Sequence, residues 1–145
     1  MSYPRPSTLF ALCMLVTGCV SLPTYQPPID QAQADIKLSP NLQKDRLQMC
    51  DSGACYVLNP DNGHVRVPEN RRIVLYKALV ASGYHVMYSC SPGLSFIPRA
   101  GINYYADFAL RAEKCQFGVY RIDPTNRVGI SFDPTVRPLD SGRAS

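Results

Sequence analysis

From about residue 54 to residue 132 the chain alternates apolar and polar positions with a period of two, the pattern of strands that bury one face. Residues 54–58 and 64–67 flank Asn59-Pro60-Asp61-Asn62-Gly63, a turn cluster whose last two residues suit positive φ. Over 84–90, Tyr84, Val86, Tyr88 and Cys90 share one face, with His85, Met87 and Ser89 on the other. Ile102, Tyr104, Ala106, Phe108 and Leu110 are likewise in phase. Residues 116–122 and 128–132 flank a second turn, Asp123-Pro124-Thr125-Asn126-Arg127. The segment 71–82 reads two ways: as a helix stopped by Gly83, or as a strand, because Arg72-Ile73-Val74-Leu75-Tyr76 is rich in β-branched and aromatic residues. A strand over 71–77 is preferred. The pattern predicts a mainly β chain, a small antiparallel β-sandwich, with an α+β fold carrying one helix near 70–82 as the alternative.

Upstream the pattern changes. From Val20 to Pro40 the chain carries Pro23, Pro27, Pro28 and Pro40 among Gln, Ser and Asp, a composition that reads as an extended linker. Residues 134–145 read as a frayed tail. The expected organisation is a signal peptide over 1–18, a flexible tether over 19–44, a β domain over 45–133 and a tail over 134–145.

The amino terminus has the form of an export signal: Arg5, then an apolar run over 8–16 too short to span a bilayer. The following Val16-Thr17-Gly18-Cys19 resembles a bacterial lipobox, in which small residues precede a Cys whose thiol takes a diacylglyceryl group and which then begins the mature chain. Cys13 is a weaker candidate because bulky Leu12 precedes it. Acyl chains on Cys19 imply stable membrane attachment, since each buried methylene contributes roughly 0.8 kcal/mol. Val20, not Asp, follows Cys19; by resemblance to Gram-negative lipoproteins this implies the outer membrane, and the domain is expected on the periplasmic side, with a surface-facing orientation left open by the sequence.

Four further cysteines remain: Cys50, Cys55, Cys90 and Cys115. An even number in an oxidising compartment points to disulfides, and four cysteines allow three pairings. Cys90–Cys115 and Cys50–Cys55 are favoured. Cys90 is in phase with the apolar face of its segment, and Cys115 with Phe117 and Val119, while Gly53 permits a turn inside the short loop. Spacing argues against other chemistry, because Cys50-x₄-Cys55 is not a redox C-x-x-C and zinc lacks a second close ligand pair.

Across 65–122, Val65-Arg66-Val67-Pro68, the stretch from Cys90 through Phe96, Pro98, Gly101 and Tyr104, and Cys115-Gln-Phe-Gly-Val-Tyr120 together resemble a loose class of small proteobacterial lipoproteins. The resemblance implies a β-sandwich-like module with a strand-to-strand disulfide. It carries over no catalytic residue.

The 145 residues suffice for one domain, and a net charge of +4, scattered along the chain, does not suggest a nucleic-acid surface. Catalytic chemistry is poorly supplied. His64 and His85 are the two histidines, and both read as exposed strand residues rather than bases. Asp107 with Glu113, and Asp123 with Asp133, are better explained by turns and polar strand faces. No Gly-rich phosphate loop occurs, so neither a cofactor nor a metal is expected. Tyr105 and Tyr120 are candidate interface residues. The expected role is a non-enzymatic interaction or accessory module of the envelope, with an envelope protein or the cell wall as partner. A periplasmic binder of a small ligand or ion is the alternative. Replacement of Cys19 by Ala is expected to abolish incorporation of labelled fatty acid and to release the protein from the outer-membrane fraction. Unchanged labelling and fractionation would contradict the anchor.

Overall fold

The alternation along the chain becomes two facing five-stranded sheets. The computed structural model describes residues 21–44, 46–82, 87–111 and 114–139. Its elements are β1 (Gln33–Leu38), one helical turn α1 (Pro40–Gln43), β2 (Leu47–Asp51), β3 (Ala54–Leu58), β4 (His64–Pro68), β5 (Ile73–Tyr76), β6 (Leu79–Ser82), β7 (Met87–Cys90), β8 (Gly93–Phe96), β9 (Asn103–Arg111), β10 (Lys114–Ile122), β11 (Ile130–Phe132) and β12 (Arg137–Pro138). The first sheet runs β11-β10-β9-β1-β4 and the second β12-β8-β5-β2-β3, while β6 and β7 form a separate ribbon. The described strand pairings are antiparallel except β1 with β9. The domain is a β-sandwich-like fold, mainly β.

Period two decides what each sheet buries. Ile36, Leu38, Val65, Val67, Tyr104, Ala106, Phe108 and Val119 of the first sheet meet Leu47, Met49, Leu58, Ile73, Leu75, Leu94 and Phe96 of the second in one core. Phe96 and Tyr104 touch across the layers, ring centroids 5.3 Å apart and nearly perpendicular. Burying such a side chain contributes about 1.5–3 kcal/mol, so these fifteen residues form the stabilising mass of the fold.

The tether expected over 19–44 is corrected. Residues 33–38 are the strand between β4 and β9, with Ala34, Ile36 and Leu38 buried and Gln33, Asp35 and Lys37 outward. The neighbouring prolines do not oppose this, because they lie outside the strand; Pro40 sits in the first turn of α1, where its missing N–H leaves no helical bond unmade. Farther upstream, Thr24 bridges to Val57, so the segment 23–25 covers the outer edge of β3. The tail expected from residue 134 is corrected too: Arg137 and Pro138 pair with β8, opposite Ser95 and Leu94. The folded unit therefore extends beyond 45–133 at both ends.

Within the predicted core, residues 73–76 and 79–82 are strands, which excludes a helix over those positions. Of the segment 84–90, residues 87–90 form β7 and Tyr84, His85 and Val86 lie outside the described residues. Strands β3 and β4 do not pair with each other; the turn between them carries the chain from one sheet to the other. Asn62 and Gly63 take φ of 50° and 78° there.

Both disulfides form. Cys50 and Cys55 face each other across the β2–β3 hairpin, whose turn residues Ser52 and Gly53 have φ of 50° and 87°. Cys90–Cys115 ties the β6–β7 ribbon to β10, across 25 positions of sequence. Cys115 packs against the core. On the chain-entropy model the longer loop contributes roughly 3 kcal/mol and the shorter about 2. Removal of Cys90 and Cys115 together (both to Ser) is therefore expected to lower the melting temperature more than removal of Cys50 and Cys55. Equal losses in thermal melts would contradict this ranking.

Candidate functional site

The register sets one row of side chains across the outer face of the first sheet. His64 of β4 lies opposite Lys37 of β1, Lys37 opposite Tyr105 of β9, Tyr105 opposite Tyr120 of β10, and Tyr120 opposite Phe132 of β11. One half of the row is polar and basic. There His64 Nδ1 sits 2.7 Å from Asp35 Oδ2, diagonally across the strand pair, and both side chains remain partly exposed. The other half is aromatic.

That aromatic half has a specific backbone beneath it. Gly118 precedes Tyr120 by two positions on the same face, and a Cβ there would come within 2.8 Å of the Tyr120 ring carbons. The absence of a side chain at Gly118 is what lets the ring lie down along the sheet. Tyr120 and Phe132 then meet with centroids 5.7 Å apart and planes tilted by 57°. Phe132 is 83% exposed, and Ile122 and Val128 extend the apolar surface towards the β10–β11 turn. Burial, and after it the Asp107 charge, raises the Tyr105 phenol above its ordinary pKa, so it remains a neutral hydrogen-bonding group. Cross-strand aromatic pairs of this kind contribute about 0.2–1 kcal/mol each, too little to account for leaving Phe132 in water.

The turn that carries this edge is held by side chains. Asp123 Oδ1 accepts from the Thr125 amide and hydroxyl, at 3.0 and 2.6 Å. Asn126 accepts from the Val128 amide and donates to the Ile130 carbonyl. The Thr125 hydrogen bonds hold the Asp123 carboxyl below its usual range.

Behind the strip the sandwich contains a buried carboxylate. Asp133 is 4% exposed, and its Oδ2 accepts from Arg121 Nε at 2.8 Å and from the Tyr104 hydroxyl at 3.4 Å. Its Oδ1 accepts from the Thr135 amide at 2.7 Å and from the Thr135 hydroxyl. That hydroxyl accepts in turn from the Ile97 amide at 2.9 Å, and the Thr135 carbonyl accepts from Arg72, which also donates to Ser95. The chain of contacts joins β9 and β10 of one sheet to Ser95 of β8 and to Arg72, which leads into β5, in the other. Burial raises the pKa of Asp133, but the Thr135 hydrogen bonds and the Arg121 contact outweigh it, and the carboxyl lies below its ordinary value.

The predicted candidates thus divide. Tyr105 and Tyr120 come together as direct cross-strand partners. Asp123 and Asp133 have separate structural duties, one in a turn and one in the interior. Cys19, His85 and Glu113 lie outside the described residues. Among the described residues, no group of three or more His, Cys, Asp or Glu is placed to hold a metal ion. An open groove of about 690 Å³ runs beside Pro27, Pro28, Ile29, Asp35 and Arg66. Sequence reasoning missed Phe132 and the buried Arg121–Asp133 pair. Their signal was phase: Phe132 falls in register with Tyr120 through the turn, and Arg121 shares its face with buried Val119. It also missed Lys77, 2% exposed, whose ammonium stands 3.9 Å from the Phe108 ring centroid and donates to the Asn41 carbonyl. Comparison with protein-family models, curated proteins and solved structures gives no match.

The Asp133 pair predicts a pH dependence with a definite sign. A carboxyl depressed in the folded state contributes stability that is fully present above its unfolded pKa of about 3.9, and loses it as pH falls through the folded value. Asp133→Asn is expected to cost about 3–5 kcal/mol at neutral pH, because it strips the partner from a partly buried Arg121. Denaturant titrations at several pH values should show a shallower acid limb in the variant; parallel acid limbs would contradict the assignment.

Proposed function

We propose that the chain is a lipid-anchored, non-enzymatic interaction module of the bacterial cell envelope, attached to the outer membrane through Cys19 and facing the periplasm. Its working surface is the strip of Tyr105, Tyr120 and Phe132, flanked by Ile122 and Val128. The partner is an envelope protein with a complementary apolar patch.

The observation that carries this reading is Phe132 at 83% exposure, fixed on a short hairpin whose turn is tied by side chains. A Phe gains about 1.5–3 kcal/mol when it leaves water. Rigid aromatic residues grouped on one face supply large contact area at low entropic cost, the composition of energetically dominant interface residues. Two disulfides accord with an oxidising compartment. The lipobox-like Val16-Thr17-Gly18-Cys19 supports attachment. A non-enzymatic role is supported by the duties already held by the acidic side chains, with Asp133 and Asp123 engaged in the fold.

In-cell crosslinking followed by mass spectrometry tests the reading. A reproducible envelope partner is expected for the native chain, and its yield should fall at least about tenfold in a Tyr120→Ser, Phe132→Glu double variant, the loss of roughly 1.4 kcal/mol or more of binding. Replacement of His64 and His85 by Ala should leave the crosslink intact. Loss of function from the histidine changes in a folded protein, with the strip variant silent, would move an enzymatic or metal site to the front.

A further inference from the structure

We propose that the anchor also sets the pose of the domain: the β3–β4 side lies against the lipid surface, Ile29 enters the headgroup region, and the β11 edge with its aromatic strip projects into the periplasm. The inference rests on the lipid-anchored reading above and adds to it a second, non-covalent membrane contact.

The first support is the point at which the chain docks. The Val57 amide donates to the Pro23 carbonyl at 2.9 Å, and the Tyr25 amide to the Val57 carbonyl at 2.8 Å. The Tyr25 ring meets Tyr56 edge-on, centroids 5.5 Å apart. The chain is therefore already bonded to the edge of β3 at Pro23, four residues from Cys19. Four residues reach at most about 14 Å, even fully extended. A sheet of five strands is roughly 19 Å across, at about 4.8 Å between neighbours. The tether is shorter than the sandwich is wide, so the domain cannot stand on its β11 edge while Cys19 is in the bilayer.

The second support is a side chain. Ile29 is 99% exposed, on the loop that leaves the covered edge of β3 and crosses beside Arg66 of β4 on its way to β1. Pro27 and Pro28 precede it and restrict the loop, so little freedom is lost when Ile29 enters another phase. Both contacts, the acylated end and Ile29, fall on one side of the sandwich.

The strand order places the Phe132 end of the strip at the opposite edge of the first sheet. Strands β3 and β4 are the edge strands of their sheets and are joined by the turn over 59–63, while β11 and β12, the other two edge strands, are joined over 133–136. Phe132 is thus carried on the edge remote from the anchor.

The chain contains no Trp, so single substitutions report single positions. The test reconstitutes the full-length, processed protein, as Ile29→Trp and as Phe132→Trp, into phosphatidylcholine–phosphatidylethanolamine vesicles containing lipids brominated near the headgroup end of the acyl chain. Ile29→Trp is expected to lose about half its emission, consistent with a residue roughly 5–10 Å into the interface, and Phe132→Trp to lose none. Equal quenching of the two, or an unquenched Ile29→Trp, would overturn the pose. Mass spectrometry of the amino-terminal peptide separates the two levels. An unacylated Cys19 removes the anchor and the pose together; an acylated Cys19 with unquenched Ile29→Trp removes the pose alone. Thermal melts of both variants, each altered at an exposed position, establish that the reporters sit in folded protein.

Discussion

The β11–β12 side of this sandwich is organised around one buried carboxylate. Asp133 stands where β11 ends and the chain turns to the opposite sheet, and its two oxygens accept from Arg121, Tyr104 and Thr135. An isolated buried charge is expensive, so the site is stable only with its partners in place. That requirement couples three otherwise separate features: the inward Arg121 of β10, the Tyr104 hydroxyl in the core and the Thr135 backbone that leads to β12. Because Thr135 also receives the Ile97 amide and Arg72, the carboxylate fixes the distance between the sheets at their β11–β12 side. The exposed aromatic strip stands on the other face of the same strands.

The opposite side is closed by backbone rather than charge. Segment 23–25 adds to the edge of β3, so that edge does not present a bare row of donors and acceptors. Strand β11 is three residues long, another means of limiting edge-to-edge pairing. A longer free edge beside exposed Phe132 would invite self-association.

Much of this was readable from period and turn chemistry. Of the residues in phase over 102–110, Tyr104, Ala106 and Phe108 are buried in β9, while Ile102 precedes the strand and Leu110 is half exposed, and the Asp123-Pro124-Thr125-Asn126-Arg127 turn does join two paired strands. Strand β1 also carries a clean alternation, Gln-Ala-Asp-Ile-Lys-Leu, but surrounding prolines outweigh it when composition is read over a wide window. Its placement between β4 and the parallel β9 depends on contacts distant in sequence, which no local pattern encodes. Asp133 has the same difficulty. Asp133-x-Thr135 repeats the turn chemistry of Asp123-x-Thr125, yet one carboxylate is buried and the other sits in a partly exposed turn, and the inward phase of Arg121 separates them. At the surface, Tyr105 and Tyr120 could be singled out individually, whereas Phe132 joins them only through the β10–β11 register.

Native-state hydrogen exchange addresses the central coupling most directly. Three amides bond to side chains of the Asp133 network instead of to strand ladders: Thr135 to Asp133, Ile97 to Thr135, and Arg99 to the Tyr104 hydroxyl at 3.0 Å. If the carboxylate holds the sheets together, these three exchange as slowly as the core amides of β1, and in Asp133→Asn they lose protection together while the β6–β7 ribbon is unaffected. Independent exchange of the three amides in the native protein, or their continued protection in the variant, would contradict the account.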